Sequence, residues 1–269
     1  MDPNLGLVER LFEELAGSNE GAPLGPVACK LFMTSDESAA SAILEALVSS
    51  DPRFVISGGT IATAPAERPQ PDLSLWDAEF AVLDFETNGL APGERAIELG
   101  LACFRGGEEV DHYQTLLNPG TAVAPFVSRL TGIAEEDLAR QPGFEEIWPQ
   151  AKRLMDRRIL VAHNLPFDRR VLRDELGRLG QTAGFVAGSL CTLRLARCLL
   201  PREEPKSLDA LAERFGLAFK SRHRALDDAR VAGRLLYKLL DFAVERTPLE
   251  SWGDLQSFIA PRRRSRRRR

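Results

Sequence analysis

The segment EFAVLDFETNGL, residues 79–90, combines the pattern of a buried strand with two acids toward its carboxyl end. Side chains alternate along a strand, which places Asp84 and Glu86 on one face. The apolar Phe80 and Val82 precede them on that same face. Two like charges beside apolar neighbours are costly unless a cation compensates them. The segment therefore predicts either carboxylates that face a hard divalent metal or an exposed sheet face at the end of the strand.

Two further acids fall on the apolar stripes of predicted helices. Asp168 in LPFDRRVLRDELGRLG and Asp228 in HRALDDARVAGRLL each align with aliphatic residues at helical spacing. Their neighbours Asp174 and Asp227 align with arginines instead, which predicts solvated ion-pair faces. We therefore expect three separate segments to direct four carboxylates toward an apolar side.

The chain has three histidines, and one of them stands next to a predicted acid. His223 precedes Asp228 by five residues, at the entrance to its helix, where an imidazole could accept a proton near neutral pH. His163, in VAHN at a predicted strand end, either shapes the site or is a hydrogen-bonded structural residue. His112 is predicted to be a surface residue on the third strand.

Three motifs in this order resemble those of the DEDDh 3′–5′ exonuclease family, which includes the proofreading epsilon subunit of bacterial DNA polymerase III. They are DFETNGL (84–90), HNLPFD (163–168) and HRALDD (223–228). The resemblance covers about residues 78–240, including segments 127–133 and 207–216. Two positions depart from the family pattern. Asn88 stands where Thr is commoner, and Cys191 stands where an Asp often precedes Thr-Leu, but neither departure removes a catalytic group.

The resemblance implies a ribonuclease H-like fold and a two-metal mechanism. Two Mg²⁺ or Mn²⁺ ions would be bound by Asp84, Glu86, Asp168 and Asp228, and His223 would act as the general base. It further implies that Leu90 wedges between the terminal bases and that the backbone near Glu86 and Thr87 meets the 3′ hydroxyl. The expected substrate-binding residues are Thr87, Leu90, His163, Asn164 and Phe167. Packing beneath the site is the other interpretation of Phe167.

Three prolines within residues 62–77, Pro65, Pro69 and Pro71, predict an extended linker. Three helical periods and a Gly-Gly hairpin precede it, which predicts a winged-helix-like domain or a generic helical cap. The predicted organisation is a winged-helix-like domain (1–64), a linker (65–77), an exonuclease domain (78–245) and a C-terminal segment (246–269).

The predicted exonuclease domain is α/β, with a mixed sheet flanked by helices. Strand patterns at 79–87, 96–105 and 108–117 with short connections predict an antiparallel meander. Helical periods then alternate with short apolar runs, at 144–156, 158–162, 167–179, 190–200, 208–215 and 225–244.

Composition excludes several classes of protein. The 269 residues are 44% hydrophobic and 28% charged, which argues against disorder and a pure coiled coil. Four widely spaced cysteines without a C-x-x-C argue against a thiolate zinc site or a disulfide framework. No apolar run reaches the roughly 20 residues of a membrane span, and the amino terminus carries acids where a secretory signal would be basic. We expect a cytoplasmic, nucleoid-associated protein without a membrane partner.

Charge is distributed unevenly. Seven of the 35 basic residues lie in Arg262–Arg269, so the rest of the chain carries 28 basic against 39 acidic residues. This tail is either a solvated terminus or an electrostatic anchor for a phosphate backbone.

These features favour a metal-dependent 3′–5′ exonuclease that acts on single-stranded or frayed DNA ends, releasing nucleoside monophosphates in proofreading or repair. An exoribonuclease is one alternative, because the same residues cleave either polymer in this family. A winged-helix DNA-binding regulator with a vestigial nuclease fold is another. A DNA polymerase or repair complex is a possible partner, although GDLQSFIAP (253–261) matches a clamp-binding motif only loosely.

Overall fold

The computed structural model describes residues 7–8, 11, 15, 21–48, 54–63, 71–89, 91, 93–156, 158–181 and 188–260. The chain divides into two compact units, residues 1–68 with 176–184 and residues 69–175 with 185–269. The predictions for Leu90 and for the tail Arg262–Arg269 lie outside the described residues, as do residues 65–70 of the predicted linker. The predicted domain boundaries stay a prediction.

The first unit combines helices with a small antiparallel sheet. Its elements are β1 (Ala22–Pro23), α1 (Leu24–Phe32), α2 (Glu37–Val48), β2 (Phe54–Ser57) and β3 (Thr60–Thr63), with the strand order β1-β3-β2. Gly58 and Gly59 form the predicted hairpin turn with φ of 58° and 74°, a backbone region that glycine enters without strain. The winged-helix assignment stays a prediction.

The second unit contains the mixed sheet that the sequence predicts. Its strands are β4 (Phe80–Thr87), β5 (Ala96–Arg105), β6 (Glu108–Leu116), β7 (Ile159–Ala162) and β8 (Ser189–Cys191), in the order β6-β5-β4-β7-β8. The first three strands form the antiparallel meander, and β7 and β8 add parallel to β4. The predicted bounds of the three meander strands hold within one residue.

Helices cover the sheet, and most follow the predicted periods. They are α3 (Pro125–Thr131), α4 (Glu135–Leu138), α5 (Phe144–Met155), α6 (Leu165–Arg178), α7 (Thr192–Leu199), α8 (Leu208–Phe215), α9 (Ala225–Val244) and α10 (Trp252–Ile259). The run at 190–200 was expected as one element, but it begins as β8, whose residues pair with β7, and continues as α7. Periodicity over three residues is too short to separate that strand from the helix that follows.

Helix α9 is the central packing element of the second unit. Its apolar side joins Phe80, Val82 and Phe104 of the sheet in one buried cluster, and the Tyr237 ring packs edge-on against Phe80 at 6.0 Å. Close approach is possible because Gly100 has no side chain, since a Cβ there would lie 2.2 Å from the backbone of Ala225 and Leu226. Gly100 therefore sets how deeply the amino end of α9 sits on β5.

The other face of the sheet carries its own helices. The Cys103 thiol donates to the Leu154 carbonyl of α5, and Ile97 packs with Val127 and Leu138 of α3 and α4. Strand β6 is an edge strand that carries the acids Glu108, Glu109 and Asp111, and charges on an edge strand discourage pairing with other chains. Among the helices of the described residues, none combines the length and apolar composition that crossing a bilayer requires.

We predict that Gly100→Ala lowers the free energy of unfolding by about 1–3 kcal/mol, because the added methyl group pushes α9 away from β5. Urea denaturation followed by circular dichroism measures this change. The matched control is Gly177→Ala in α6, where a Cβ would meet no described residue beyond its own helix within 4 Å. Stability there should stay the same or rise by about 0.5–1 kcal/mol. Equal effects of the two substitutions would contradict the assigned role of Gly100.

Candidate active site

Strand β4 presents Asp84 and Glu86 on the face that packs against α9, as the alternation predicted. Both are half-buried, and the residues between and before them are buried. The pairing of β4 with β5 shifts register between Glu86 and Thr87. Beyond this irregularity the chain leaves the sheet, so the two carboxylates stand at the point where β4 ends.

Asp168 reaches the same place from the first turn of α6. Its side chain is buried, and its Oδ1 accepts a hydrogen bond of 3.2 Å from the backbone amide of Phe85, which lies between the two acids of β4. The helical-stripe argument for a buried Asp168 is confirmed. Asp174, on the same helix, is more exposed and pairs with the adjacent Arg173 rather than with the arginines one turn away.

Asp228 and Asp227 begin α9, and here the sequence interpretation was half right. Asp228 is buried, as predicted. Asp227 was expected on a solvated face, but it is also buried, and its Oδ2 accepts hydrogen bonds from the backbone amides of Lys220 and Ser221. The helical-face argument was wrong for Asp227 because the loop before the helix folds back over that face.

Burial raises the pKa of all four carboxylates, and the charge of neighbouring acids in the cluster adds to the rise at Asp84, Glu86 and Asp168. Burial and the neighbouring Asp168, Glu86 and Asp228 raise the pKa of Asp84 well above its usual range. Burial likewise raises the pKa of Asp168, and the hydrogen bond from Phe85 offsets only part of this. Burial, followed by Asp228 and Glu98, raises the pKa of Glu86 to about 7. The pKa of Asp228 is also raised to about 7, again chiefly by burial.

His223 lies beside this cluster in the loop before α9. One ligand atom each from Glu86, His223 and Asp228 can be chosen so that all lie within 4.8 Å of one another. Burial and the adjacent Arg222 lower the pKa of His223 below its usual value, which favours the neutral, proton-accepting imidazole. The backbone of His223 is left-handed, with φ of 61°, a conformation that non-glycine residues seldom adopt.

The His223 loop is held by arginines on both sides of the histidine. Arg224 forms a bidentate ion pair with the fully buried Glu98 of β5, with a distance of 2.9 Å from Nη2 to Oε1. Glu98 also accepts from the Ala225 amide and from Gln114, so its charge is compensated. On the other side, Arg222 pairs with Asp209 and with Oδ2 of Asp228. These ion pairs hold the strained backbone in place.

The residues present fit divalent metal ions. All four acids offer oxygen atoms, the donors that Mg²⁺ and Mn²⁺ prefer. Among the described residues, Oδ1 of Asp228 is a buried oxygen that accepts no hydrogen bond. An unpartnered carboxylate oxygen in a cluster of raised pKa is destabilising unless a cation supplies the missing interaction.

An apolar wall adjoins the carboxylates across an open cleft. Phe126 and Leu130 of α3 are 41% and 49% exposed, and Phe167 of α6 lines the same cleft. Thr87 also lines it, and its hydroxyl donates to the Gly89 carbonyl at 2.6 Å. The cleft therefore joins a charged side to a side of exposed apolar groups.

The predicted substrate residues His163 and Asn164 line a second cavity, which meets the first at Asp84 and Asp228. The Nε2 of His163 lies 3.0 Å from the Lys206 carbonyl, which can only accept, so Nε2 donates there. Nδ1 then accepts from the Thr192 hydroxyl at 2.9 Å. Burial lowers the pKa of His163 to about 4, so the ring is neutral and both of its nitrogens are satisfied within the protein.

Asn88, one of the two departures from the family pattern, has a structural role. Its Nδ2 donates to the Thr121 hydroxyl and the Ala122 carbonyl, and its Oδ1 accepts from the Arg95 amide at 2.7 Å. These bonds tie the end of β4 to the segment that leads into α3. Asn88 thereby joins the two sides of the cleft.

Sequence reasoning assigned no site role to Glu98, Asp209, Arg222, Phe126 or Leu130. Glu98 stands in the apolar run AIELGLACF, so the argument that selected Asp84 could have found it. Arg222 directly precedes His223, but its two carboxylate partners belong to different helices. Nothing in the local sequence indicates that pairing.

The comparisons with known proteins agree with this geometry. Residues 81–236 match the family described as Exonuclease. The chain is 37% identical over 171 residues to the PolC-type DNA polymerase III of Thermotoga maritima, covering 63% of this chain and 12% of that protein. It is 33% identical over 207 residues to a putative bifunctional exonuclease/endonuclease protein of Mycobacterium tuberculosis. That match covers 74% of this chain and 32% of that protein.

The DNA polymerase III epsilon subunit of Aquifex aeolicus is matched over most of its length. Identity is 31% over 169 residues, which is 62% of this chain and 83% of that protein. By contrast, the chain spans only about an eighth of the PolC-type polymerases that it matches.

Solved structures share the fold. Exonuclease X in complex with 5′ overhanging duplex DNA has a TM-score of 0.53 at 24% identity, covering 67% of this chain and 99% of that one. The nuclease domain of 3′hExo, a DEDDh family member bound to rAMP, has a TM-score of 0.54 at 20% identity, covering 62% and 94%. With its family match and its convergent acids, the chain belongs to the DEDDh-type exonuclease family.

Proposed function

We propose that the protein is a metal-dependent 3′–5′ exonuclease that hydrolyses phosphodiester bonds at single-stranded or frayed DNA 3′ ends. The observation that carries the proposal is that three acids, Asp84, Glu86 and Asp228, line one cleft with His223. The fourth acid, Asp168, is bonded to the same strand through the Phe85 amide. Relatives named as DNA polymerase III subunits support DNA as the polymer. A role in replication proofreading or in repair fits both these relatives and the site.

The proposed chemistry divides between the acids and the histidine. Asp84, Glu86, Asp168 and Asp228 would hold two divalent ions, Mg²⁺ or Mn²⁺, which when bound supply Lewis acidity toward water and the phosphodiester. His223, with its lowered pKa, accepts a proton from the attacking water at an imidazole nitrogen.

The apolar side of the cleft would bind the terminal nucleotide. Every base has a flat face that stacks on exposed apolar side chains, so Phe126, Leu130 and Phe167 would accept any of the four bases. Thr87 lies between this wall and the acids, where its backbone would meet the 3′ hydroxyl. In this proposal Leu90, His163 and Asn164 keep the substrate-binding roles that the resemblance implies.

RNA is the second candidate substrate, because the nuclease domain of 3′hExo was solved with rAMP. Regulation of DNA by a winged helix with an inactive nuclease fold receives less support, because all four acids and the histidine are present. Contact with a polymerase clamp through GDLQSFIAP is also less well supported. That segment includes α10, whose Leu255 and Ile259 are buried in the main core.

The decisive test is hydrolysis of 5′-labelled oligonucleotides, because a 3′–5′ exonuclease shortens them to a ladder with the label retained. Single-stranded DNA, duplex DNA and RNA of one sequence are compared with Mg²⁺, Mn²⁺ and chelator. We expect a metal-dependent ladder on single-stranded DNA. A ladder on RNA alone would identify an exoribonuclease, and DNA binding without hydrolysis would overturn the proposed enzyme.

Asp168→Asn should lower kcat by at least about 10³-fold, because it removes metal-ligand charge from a cluster that acts as a unit. The asparagine oxygen can still accept from the Phe85 amide, so the fold should survive. Asp174→Asn on the same helix is the matched control and should keep wild-type kcat, since Asp174 pairs with Arg173 away from the acids. Steady-state kinetics measures kcat for both variants, and circular dichroism checks that both are folded. Loss of activity in both would argue against the assignment of Asp168.

For His223→Ala we expect kcat to fall by about 10²–10⁴, as the loss of a general base predicts. Binding of Mn²⁺, measured by titration calorimetry, should stay within about threefold of wild type, because the four acids remain. Loss of Mn²⁺ binding together with kcat would instead assign His223 as a metal ligand.

Mn²⁺ should raise the melting temperature more at about pH 8 than at about pH 5.5. Glu86 and Asp228 have a pKa of about 7 in the folded protein, above the value of about 4 in an unfolded chain. Their contribution to stability is therefore fully present below about pH 4 and is lost as the pH rises through about 7. Metal binds the ionised forms and offsets this loss. Scanning calorimetry with Mn²⁺ or chelator at both pH values measures the rise in melting temperature. An equal rise at the two pH values would contradict the raised pKa values of Glu86 and Asp228.

A further inference from the structure

Arg222 places a positive charge inside the carboxylate cluster. Its Nε and Nη2 pair with the two carboxylate oxygens of Asp209 at 2.6 and 3.0 Å. Its Nη1 contacts Oδ2 of Asp228. The guanidinium also lies over the Phe219 ring, 5.0 Å from the ring centre. One arginine thus joins a candidate metal ligand on α9 to an acid on α8.

The two partners of Arg222 differ in their surroundings. Asp228 is buried, whereas the Asp209 side chain is 58% exposed and lies outside the four acids. The contacts with Asp209 use Nε and Nη2, and the contact with Asp228 uses Nη1 alone. Arg222 could therefore withdraw Nη1 from Asp228 while it keeps both bonds to Asp209.

Divalent metal and Nη1 of Arg222 require the same carboxylate. One oxygen of Asp228 contacts Arg222, and its other oxygen is buried without a hydrogen bond. A guanidinium and a divalent ion at a single carboxylate repel each other strongly at low local dielectric. The charge of Arg222 also opposes the rise in pKa at Asp84, Glu86 and Asp228, so it already compensates part of their repulsion.

We propose that Arg222 is a resident counter-cation that occupies the carboxylate cluster of the metal-free protein. Divalent metal displaces its Nη1 from Asp228, and Asp209 retains the displaced guanidinium. The affinity of the protein for metal is then set partly by Arg222 and Asp209. This inference rests on the proposed function for its choice of metal, and it adds that a side chain of this chain competes with the metal.

Titration calorimetry with Mn²⁺ and no nucleic acid tests the competition. Arg222→Gln keeps a polar side chain and removes the charge, and we expect Mn²⁺ to bind about tenfold more tightly. The control is Arg230→Gln, which removes an arginine of α9 that pairs with Glu109 instead. Its Mn²⁺ affinity should equal that of wild type within about twofold. Unchanged or weaker binding by Arg222→Gln overturns the proposal.

A second measurement uses thermal unfolding. Metal-free Arg222→Gln should melt below the wild type, because repulsion among the acids is no longer compensated, and Mn²⁺ should raise its melting temperature by more than it raises that of wild type. Arg222→Lys should give an intermediate Mn²⁺ affinity, because lysine keeps the charge but lacks the forked donors. Lysine and glutamine variants with identical affinities would contradict a role for the charge.

Asp209→Asn tests the retaining contact. It should weaken Mn²⁺ binding, both because a negative charge is lost and because Arg222 then stays on Asp228. In the Arg222→Gln background, Asp209→Asn measures only the effect of the lost negative charge. We therefore expect Mn²⁺ binding to weaken at least about threefold less there than in the wild-type background. Equal weakening in both backgrounds overturns retention by Asp209. These binding and unfolding measurements do not depend on turnover. A protein that hydrolyses no oligonucleotide would overturn the proposed function, but the competition between Arg222 and Mn²⁺ could still be measured.

Discussion

Repulsion among four clustered carboxylates, two buried and two half-buried, is the constraint that organises the second unit of this structure. Asp84, Glu86, Asp168 and Asp228 come from three elements far apart in sequence, and burial raises the pKa of each. A folded state with this cluster is less favourable at neutral pH than one without it. The surrounding structure must therefore hold the acids together against their own charge, and it does so with rigid elements and paired arginines.

Rigidity comes from the packing of α9 on the sheet. Gly100 stands opposite Asp84 across β4 and β5, and it lets the backbone of Ala225 approach as no other residue could. Gly233, further along α9, makes the same allowance for the Phe104 ring, which its Cβ would meet at 2.2 Å. Because the apolar side of α9 is buried with the sheet in the main core, moving α9 away from β4 to relieve the repulsion would expose apolar surface to water. The same packing that forms the core thus fixes the distance between the acids.

The sequence predicted the parts of the site that depend on local period. Alternation in β4 and the helical stripe of Asp168 need only neighbours in the chain, so both predictions held. The interpretation of Asp227 was wrong because the loop six to seven residues upstream covers its face of the helix. A helical wheel shows only the residues of the helix itself and cannot indicate this loop. Arg222 was missed because Asp209 and Asp228 meet only after α8 and α9 have packed. Roles for Leu90 and for Arg262–Arg269 lie outside the described residues and stay predictions.

The segment Ser221–Arg224 shows how charge pairs can position a histidine without a rigid element. His223 sits between two arginines that are anchored in different directions, Arg224 to Glu98 of β5 and Arg222 to Asp209 of α8. Each anchor is an ion pair with at least one forked contact, so the histidine backbone is held at both ends in its left-handed conformation. The two anchors differ in burial, since Glu98 is fully buried and Asp209 is exposed. Arg224 therefore fixes the end of the loop that joins α9, whereas Arg222 leaves the other end free to respond when the charge of the acids changes.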